Sequence, residues 1–301
     1  MIGNSTCKGD SLALADLHIH TTVSDGSDSF AQVLKRAQGC GLSYVAFTNH
    51  DSLSGISLAL SLQKNFAVKV IGGIEISAWD FAAGTKAHIL GYGFVDDHAP
   101  AVDALCAPLL ERRHAMTLWQ IEQLKSHGYA LDQALLAQYA QSSTCLYKQH
   151  VMAALIDAPY NSPAYSTLYS SLFKDGGICD DDITYVDACD AVLAIKQDGG
   201  IAILAHPGQF DNFAMVGRLV AVGLDGIEKY HHYHGPRERQ IVDQLTDDYR
   251  LVRTGGSDYH GHFGKVLCPG ACRIDMSEAK AFMNLLIGED SRKTPAPELI
   301  A

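Results

Sequence analysis

Asp16-Leu17-His18-Ile19-His20-Thr21 places two histidines one residue apart at the end of an apolar run. The five residues before it, Ser11-Leu12-Ala13-Leu14-Ala15, are apolar enough to form a buried strand. Because side chains two residues apart on a strand point to the same side, His18 and His20 converge. Two convergent imidazoles make half of a metal site, and Asp25 follows as an acidic neighbour. The stretch therefore predicts a metal site where a strand ends.

The composition sets limits on the domain count and on the partners. A chain of 301 residues with 47% hydrophobic and 19% charged residues fits one large α/β domain with an insertion. The formal net charge of −11 argues against binding to duplex nucleic acid or to an anionic membrane. It leaves room for a small phosphorylated substrate, since divalent cations reverse the sign of the field within one cleft.

The cysteines and the amino terminus bear on the compartment. The 8 cysteines form no CxxC pair, and Cys268 and Cys272 are four residues apart. The first ten residues do not resemble a signal peptide, and no apolar run approaches the length of a membrane span. We therefore expect a cytoplasmic protein with reduced cysteines, without thiol catalysis or a zinc–thiolate site.

Apolar strand-like runs alternate with helical patterns along the chain. The candidate strands cover residues 13–18, 44–48, 69–73, 87–94, 201–204, 226–230 and 251–254. Phe30, Val33, Leu34 and Ala37 recur at helical spacing between the first two of them. This alternation predicts an α/β protein with a mainly parallel sheet, open or closed into a barrel.

The middle of the chain is rich in helical patterns and has no convincing strand. Leu109, Arg113, Met116, Gln120 and Leu124 recur at the spacing of a long amphipathic helix. We read residues 103–182 as a helical insertion that covers the active site, with residues 12–102 and 183–290 forming the barrel.

Further candidate ligands lie at or near the ends of the other strands. They are His50, Glu75, His88, His206, Asp258 and His260, with His231, His232 and His234 after the sixth strand. Each could be an ordinary core or surface residue, but polar residues at strand ends converge in a β/α sheet. Nitrogen and oxygen ligands suit Zn²⁺, Mn²⁺ or Fe²⁺ and do not choose among them. About nine ligands exceed the needs of one tetrahedral ion, so we expect two or three ions sharing a bridging carboxylate.

The ordered motifs closely resemble those of the PHP family, the polymerase-and-histidinol-phosphatase group of metal-dependent phosphoesterases. They are His18-Ile19-His20, Asn49-His50-Asp51, Gly73-Ile74-Glu75, Ala205-His206-Pro207-Gly208 and Gly256-Ser257-Asp258-Tyr259-His260. The resemblance covers residues 14–262 and is greatest to the TrpH-like and nucleotide 3′,5′-bisphosphate phosphatase branch. It implies a distorted seven-stranded (β/α) barrel with a helical insertion subdomain.

The resemblance also implies a trinuclear metal centre whose ligands can be assigned motif by motif. The first ion would take His18, His20, Glu75 and Asp258; the second Glu75, His88 and His206; the third Asp25, His50 and His260. Glu75 would bridge the first two ions.

The implied activity is hydrolysis of a small phosphorylated metabolite by a hydroxide that bridges two ions. The leading substrate is a nucleotide 3′,5′-bisphosphate such as pAp, hydrolysed to nucleoside monophosphate and phosphate. Alternatives are a phosphodiesterase acting on a cyclic sugar phosphate, or a 5′–3′ exonuclease acting on short oligonucleotides. A proofreading module with a vestigial site would lack ligands, and none is missing. An amide hydrolase on a related barrel would use a lysine bridge where this chain has Glu75.

The remaining candidates concern proton transfer and substrate binding. We expect His231 to act as general acid, with His234 as its rival, and Asp51 to orient His50 or a neighbouring imidazole. Relatives often carry Arg-Pro-His where this chain has Lys148-Gln149-His150, and often an arginine where it has Gln209. The candidates for substrate binding are therefore Lys148, His150, Gln209, Arg112, Arg113 and Lys229, with Tyr147 or Phe263 available to stack on a base.

Overall fold

Within residues 13–266 and 268–288, which the computed structural model describes, nine strands form one sheet. The strands are β1 (Leu14–Ile19), β2 (Tyr44–Phe47), β3 (Lys69–Asp80), β4 (Thr85–Phe94), β5 (Val186–Asp187), β6 (Ile201–Leu204), β7 (Gly226–Tyr230), β8 (Val252–Gly255) and β9 (Ile274–Asp275). The expected outer limits of the barrel at residues 12 and 289–290 lie outside the described residues.

Helices cover the sheet and connect its strands. They are α1 (Phe30–Gly39), α2 (Ile56–Leu62), α3 (Pro100–Ser126), α4 (Gln133–Ala140), α5 (Lys148–Leu155), α6 (Pro163–Phe173), α7 (Ala188–Gln197), α8 (Pro207–Phe210), α9 (Val216–Ala221), α10 (Pro236–Tyr249) and α11 (Lys280–Leu286). Short 3₁₀ turns occupy Gln63–Asn65, Phe213–Met215 and Gly261–Phe263. The sequence signals are local: α1, for example, begins at a capping box of Ser29 and Gln32.

The seven longer strands close almost completely into a barrel. The sheet order is β8-β7-β6-β4-β3-β2-β1-β9, and the two-residue strand β5 pairs with β3. The segment after β8 returns to β1, where the Asp258 amide donates to the His18 carbonyl and the His20 amide donates to the Tyr259 carbonyl, both at 2.9 Å. The predicted distorted seven-stranded (β/α) barrel is therefore confirmed, with two short strands added at its margins.

One strand runs against the others. β1, β2 and β3 pair in parallel, as do β6, β7 and β8, but β4 is antiparallel to both β3 and β6. The expectation of ligands at strand carboxyl ends is therefore wrong for β4, where His88 lies near the amino end, opposite Ser77. Tyr92 and Leu90 fill the barrel core, and His88, in the same phase of the strand, reaches the polar end of the barrel.

The third strand is longer than the sequence indicates. Residues 69–73 are the apolar part, but β3 continues to Asp80, so that Glu75 lies inside the strand. Pairing with β4 over residues 72–80 holds this extension in place. The side chain of Glu75 thereby has a fixed backbone on both sides.

The segment between β4 and β5 contains α3, α4, α5 and α6 and has its own hydrophobic cluster, which includes Ile121, Leu136, Val151 and Leu172. The first half of α3 belongs to the barrel, because Val102 and Cys106 pack in the main core. Its second half belongs to the insertion. One continuous helix of 27 residues therefore joins the two hydrophobic clusters.

Barrel closure depends on the close approach of Gly256 to His18. A Cβ at position 256 would overlap the Cβ and the backbone nitrogen of His18. We expect Gly256→Ala to lower the free energy of unfolding by about 2–3 kcal/mol, because backbone on both sides must shift. Gly39→Ala is the matched control, since an added Cβ there meets no heavy atom within 4 Å. Denaturant unfolding of both variants measures the difference, and equal stabilities would contradict this account of closure.

Candidate metal centre

The nine predicted metal ligands lie together at one end of the barrel, with Glu75 at their centre. Its carboxylate oxygens lie within 3.3 Å of ring nitrogens from five histidines, namely His18, His20, His50, His88 and His206. The shortest of these distances, 2.9 Å, are those to His88 Nδ1 and His206 Nε2. A carboxylate surrounded in this way is placed to bridge more than one cation.

The other carboxylates complete the cluster on either side of Glu75. Asp258 Oδ1 lies 3.2 Å from His20 Nε2, and Asp25 Oδ1 lies 3.3 Å from His260 Nε2. Donor atoms within 4.8 Å of one another form several sets, including His18, His20, Glu75 and Asp258; His20, Asp25, His50 and His260; and His50, Glu75 and His88. The first two sets contain the ligands that the family resemblance implies for the first and third ions.

Unpartnered polar atoms support a role in metal binding. His18 Nε2, both ring nitrogens of His20, Asp25 Oδ1 and His206 Nδ1 are buried and have no hydrogen-bond partner. Burying such atoms without a partner costs on the order of 1–3 kcal/mol each. The donor set, nitrogen and oxygen only, suits divalent Zn²⁺, Mn²⁺ or Fe²⁺. These residues therefore fit the metal ions that the fold family implies.

Electrostatics keep the central carboxylate charged. Burial alone would raise the pKa of Glu75, but the imidazoles of His18, His88 and His50 hold it well below its ordinary value. Glu75 is therefore ionised at neutral pH, which is the form that binds cations.

The backbone is strained where three residues of the site leave their strands. Asp51, His206 and Asp258 have positive φ angles of 56°, 24° and 53°. Such a conformation costs a non-glycine residue on the order of 1–3 kcal/mol and is held only when its surroundings over-determine it. For His206, the backbone N–H donates to Glu228 Oε2 at 2.9 Å.

Glu228 is a site residue that the sequence reasoning missed. It is fully buried, and its Oε1 lies 3.2 Å from His18 Nδ1. Burial opposes ionisation, but the neighbouring His18 lowers the pKa of Glu228 to about 2. The charged carboxylate favours the tautomer with hydrogen on His18 Nδ1, which leaves Nε2 free to bind a metal. The sequence did contain a signal for this residue, namely an acidic side chain inside the apolar strand next to Ile227.

Asp16 is the second buried carboxylate that was missed. Its oxygens accept hydrogen bonds from the Ser257 amide at 2.9 Å, the Ser257 hydroxyl at 2.5 Å and the Gly270 amide at 2.6 Å. Ser257 directly precedes the ligand Asp258. Asp16 therefore fastens the segment that carries two of the predicted ligands to β1.

Asp51 has different partners from those expected. It accepts from the Ser77 amide at 2.7 Å, the Ser77 hydroxyl at 3.0 Å and Arg113 Nη2 at 2.8 Å. Ser77 Oγ lies 3.5 Å from His50 Nδ1. Asp51 therefore reaches His50 only through Ser77, and its charge is balanced by Arg113.

Two adjoining cavities open onto the cluster and share His50, His88, Gln149, Tyr160 and Gln209. Among the predicted substrate residues, Lys148, Arg113 and Gln209 line these cavities. Lys86 and Lys174, which were not predicted, also line one of them.

Three other candidates lie elsewhere. Arg112 donates to the Thr184 carbonyl at 2.9 Å, and Lys229 pairs with Asp243 and Glu278 at 2.8 Å each. His150 is fully buried under the site, with its Nδ1 3.3 Å from the Tyr147 amide. The structure does not bring any of the three into the walls of the two cavities.

The predicted proton donors are both buried. His231 Nε2 lies 3.6 Å from Asp258 Oδ2 but lines neither of the two cavities at the cluster, whereas the neighbouring His232 lines one of them. His234 uses both ring nitrogens on backbone: Nδ1 donates to the Lys229 carbonyl and Nε2 accepts from the Gly208 amide, each at 2.9 Å. His234 therefore holds the loop after His206 in place.

A nearly closed α/β barrel with a buried cluster of histidines and carboxylates at one end defines a metal-dependent hydrolase. The model of the PHP domain family matches residues 16–155. This chain belongs to the PHP domain family, and it is a metal-dependent phosphoesterase.

Comparison with known proteins finds relatives named for two of the substrates considered above, a cyclic sugar phosphate and a nucleoside 3′,5′-bisphosphate. A phosphoribosyl 1,2-cyclic phosphate 1,2-diphosphodiesterase from Eggerthella lenta is 54% identical over 253 residues, which cover 84% of this chain and 96% of that protein. A 3′,5′-nucleoside bisphosphate phosphatase from Chromobacterium violaceum is 27% identical over 264 residues, covering 83% and 88%. A solved structure from Bifidobacterium adolescentis, presented as a candidate metal-dependent phosphoesterase, matches the fold with a TM-score of 0.80 at 23% identity, covering 91% and 98%.

Among the residues described, no helix is both long and apolar enough to span a membrane.

The Glu228 carboxylate can be tested through metal retention. We expect Glu228→Gln to weaken metal binding by about 10- to 100-fold, because the charge that orients His18 is lost. Metal content after dialysis against graded chelator concentrations measures this directly. Glu122→Gln, an exposed change on α3, is the control. Metal retention equal to wild type in Glu228→Gln would rule out the orienting role.

Proposed function

We propose that the protein hydrolyses a cyclic phosphate diester of a phosphorylated sugar and cleaves both ester bonds, so that inorganic phosphate is released. The 54% identity to the Eggerthella lenta diphosphodiesterase, against 27% to the bisphosphate phosphatase, supports this choice. The nucleotide bisphosphate that the motifs favoured thus becomes the second candidate, and the cyclic sugar phosphate becomes the first.

The structural observation that supports a substrate with two phosphate groups, which both candidates have, is a cavity with two kinds of charged wall. The metal-ligand residues His50, His88 and Asp25 line one part of it. Lys86, Lys148 and Lys174 line the part formed with the insertion. A substrate with two phosphate groups fits both parts of this cavity. The reacting phosphate would bind beside the metal-ligand residues, and the distant phosphate would bind to the ammonium groups of the lysines.

Lys148 is better placed than Lys86 to bind a phosphate. Lys86 already pairs with Asp182 at 2.6 Å, whereas no carboxylate of the described residues lies within ion-pair distance of Lys148. Burial lowers the pKa of Lys148, and a phosphate dianion beside it would raise that pKa again. The site therefore gains from an anion at this position.

The residues of the chain divide the chemical work. When bound, divalent ions would lower the pKa of a water molecule and neutralise the phosphoryl oxygens. Glu75 and Asp258 hold the negative charge that fixes such ions, and Lys148 holds the far phosphate so that phosphorus faces the cluster. The leaving alkoxide needs a proton, and His232 lines the cavity beside Asp258 where such a proton is required. Burial lowers the pKa of His232 to about 4, and a bound phosphate dianion would raise it.

A direct test compares substrates on the metal-loaded protein. Ribose 5-phosphate with a 1,2-cyclic phosphate should release one equivalent of inorganic phosphate, and its kcat/KM should exceed that of 3′-phosphoadenosine 5′-phosphate by at least about tenfold. Phosphate release and the sugar product are followed by colorimetry and mass spectrometry. A preference for the bisphosphate, or for short oligoribonucleotides, would replace this proposal by the corresponding alternative.

The role of Lys148 separates substrates with and without a second phosphate. We expect Lys148→Met to raise KM by about tenfold for the phosphorylated cyclic sugar, since one ion contact with phosphate is lost. KM for a cyclic phosphate of unphosphorylated ribose should stay as in wild type. Lys125→Met, an exposed change on α3, serves as the control. Equal effects on the two substrates would exclude Lys148 from recognition of the distant phosphate.

A further inference from the structure

Two cysteines from separate elements face each other away from the cavities. Cys40 caps the carboxyl end of α1, and Cys268 lies in the loop between β8 and β9, yet their sulfur atoms are 3.4 Å apart. Cys268 is exposed and Cys40 is half-buried. Neither residue lines the two cavities at the metal cluster. The contact between the two sulfur atoms is therefore separate from the site of the phosphoesterase reaction.

We propose that Cys40 and Cys268 form a reversible disulfide bond when the protein meets a peroxide. In the first step the Cys268 thiolate attacks one peroxide oxygen, the O–O bond breaks, and a sulfenic acid and hydroxide form. In the second step the Cys40 thiol attacks the sulfenic sulfur, the S–O bond breaks and water leaves. Two thiols are oxidised by two electrons, and one hydrogen peroxide is reduced to two waters.

The surroundings of the two sulfur atoms agree with this order of events. Burial and the adjacent Cys268 raise the pKa of Cys40, so the exposed partner is the one a peroxide meets first. The positive charge of Arg273 opposes this rise in the pKa of Cys40. The sulfur atoms need only a small approach to reach bonding distance, because they are already in contact.

The bond would restrain the segment that carries metal ligands. Cys268 is two residues from Gly270, whose amide donates to Asp16, and Asp16 also holds Ser257 next to Asp258. A link from Cys268 to Cys40 ties this segment to α1 and closes a loop of 228 residues. Such a cross-link reduces the freedom of the unfolded chain. We therefore expect oxidation to raise the melting temperature by roughly 5 °C.

The experiment uses the full, metal-loaded protein treated with hydrogen peroxide and then alkylated under denaturing conditions. Free thiols should fall from 8 to 6, peptide mapping should find Cys40 joined to Cys268, and dithiothreitol should restore the original count. Cys40→Ser and Cys268→Ser should each prevent the joined peptide from forming. Cys189→Ser, a half-buried cysteine elsewhere, is the control and should still form it.

Three results would overturn the proposal: no loss of thiols, a disulfide between other cysteines, or conversion of Cys268 to sulfinic acid while Cys40 stays free. The peptide map of the wild-type protein decides among them even if a serine variant fails to fold. A joined peptide with an unchanged melting temperature would keep the disulfide but overturn the restraint on the ligand segment. None of these outcomes depends on which phosphate ester the enzyme hydrolyses.

Discussion

The carboxylate of Glu75, buried among five imidazoles, is the interaction on which the rest of this structure depends. It requires a strand that continues past the apolar core, neighbouring strands that place histidines on both sides of it, and a barrel closed tightly enough to bury the carboxylate. Each requirement has a cost: an extended β3, strained backbone at Asp51, His206 and Asp258, and buried atoms without partners. Binding of divalent cations would offset these costs together, so that metal binding and folding are coupled.

Much of this arrangement could be predicted from local patterns, and the reasons are physical. Strand bounds such as 201–204 and 226–230 agree with the structure because apolar runs between turn residues are local signals. The nine candidate ligands, which the structure brings together at one end of the barrel, could be picked out because histidine and acid motifs recur at strand ends. The direction of β4 was missed because β3 was expected to end at residue 73. With β3 running to Asp80, only residues 81–84 separate it from β4, and so short a connection requires antiparallel pairing. Glu228 and Lys86 were missed because each has its partner far away in sequence, His18 for Glu228 and Asp182 for Lys86.

We expect the choice of substrate to depend on the helical insertion more than on the barrel. The barrel supplies the metal-ligand cluster, which suits hydrolysis of many phosphate esters. The insertion supplies Lys148, Gln149 and Tyr160, which line the cavity beside that cluster. A lysine at 148 in place of a guanidinium offers one compact charge in place of a planar fork, and it therefore tolerates more than one phosphate orientation. Specificity in this protein would then come chiefly from the shape of the cavity.

The reversed strand β4 has a consequence for how the cavity can move. Because β4 is antiparallel to its neighbours, its last residue, Phe94, lies at the end of the barrel remote from the metal cluster. The chain must therefore cross the full height of the barrel again to reach the cavity. Helix α3 covers this distance, because its 27 residues form a helix about 40 Å long. Midway along it, Arg113 contacts Asp51. The insertion is thus attached to a helix whose first half packs in the main core. On this side the insertion is joined to the barrel by a helix instead of a loop, so any movement of the insertion relative to the barrel would have to bend α3, which contains Pro108.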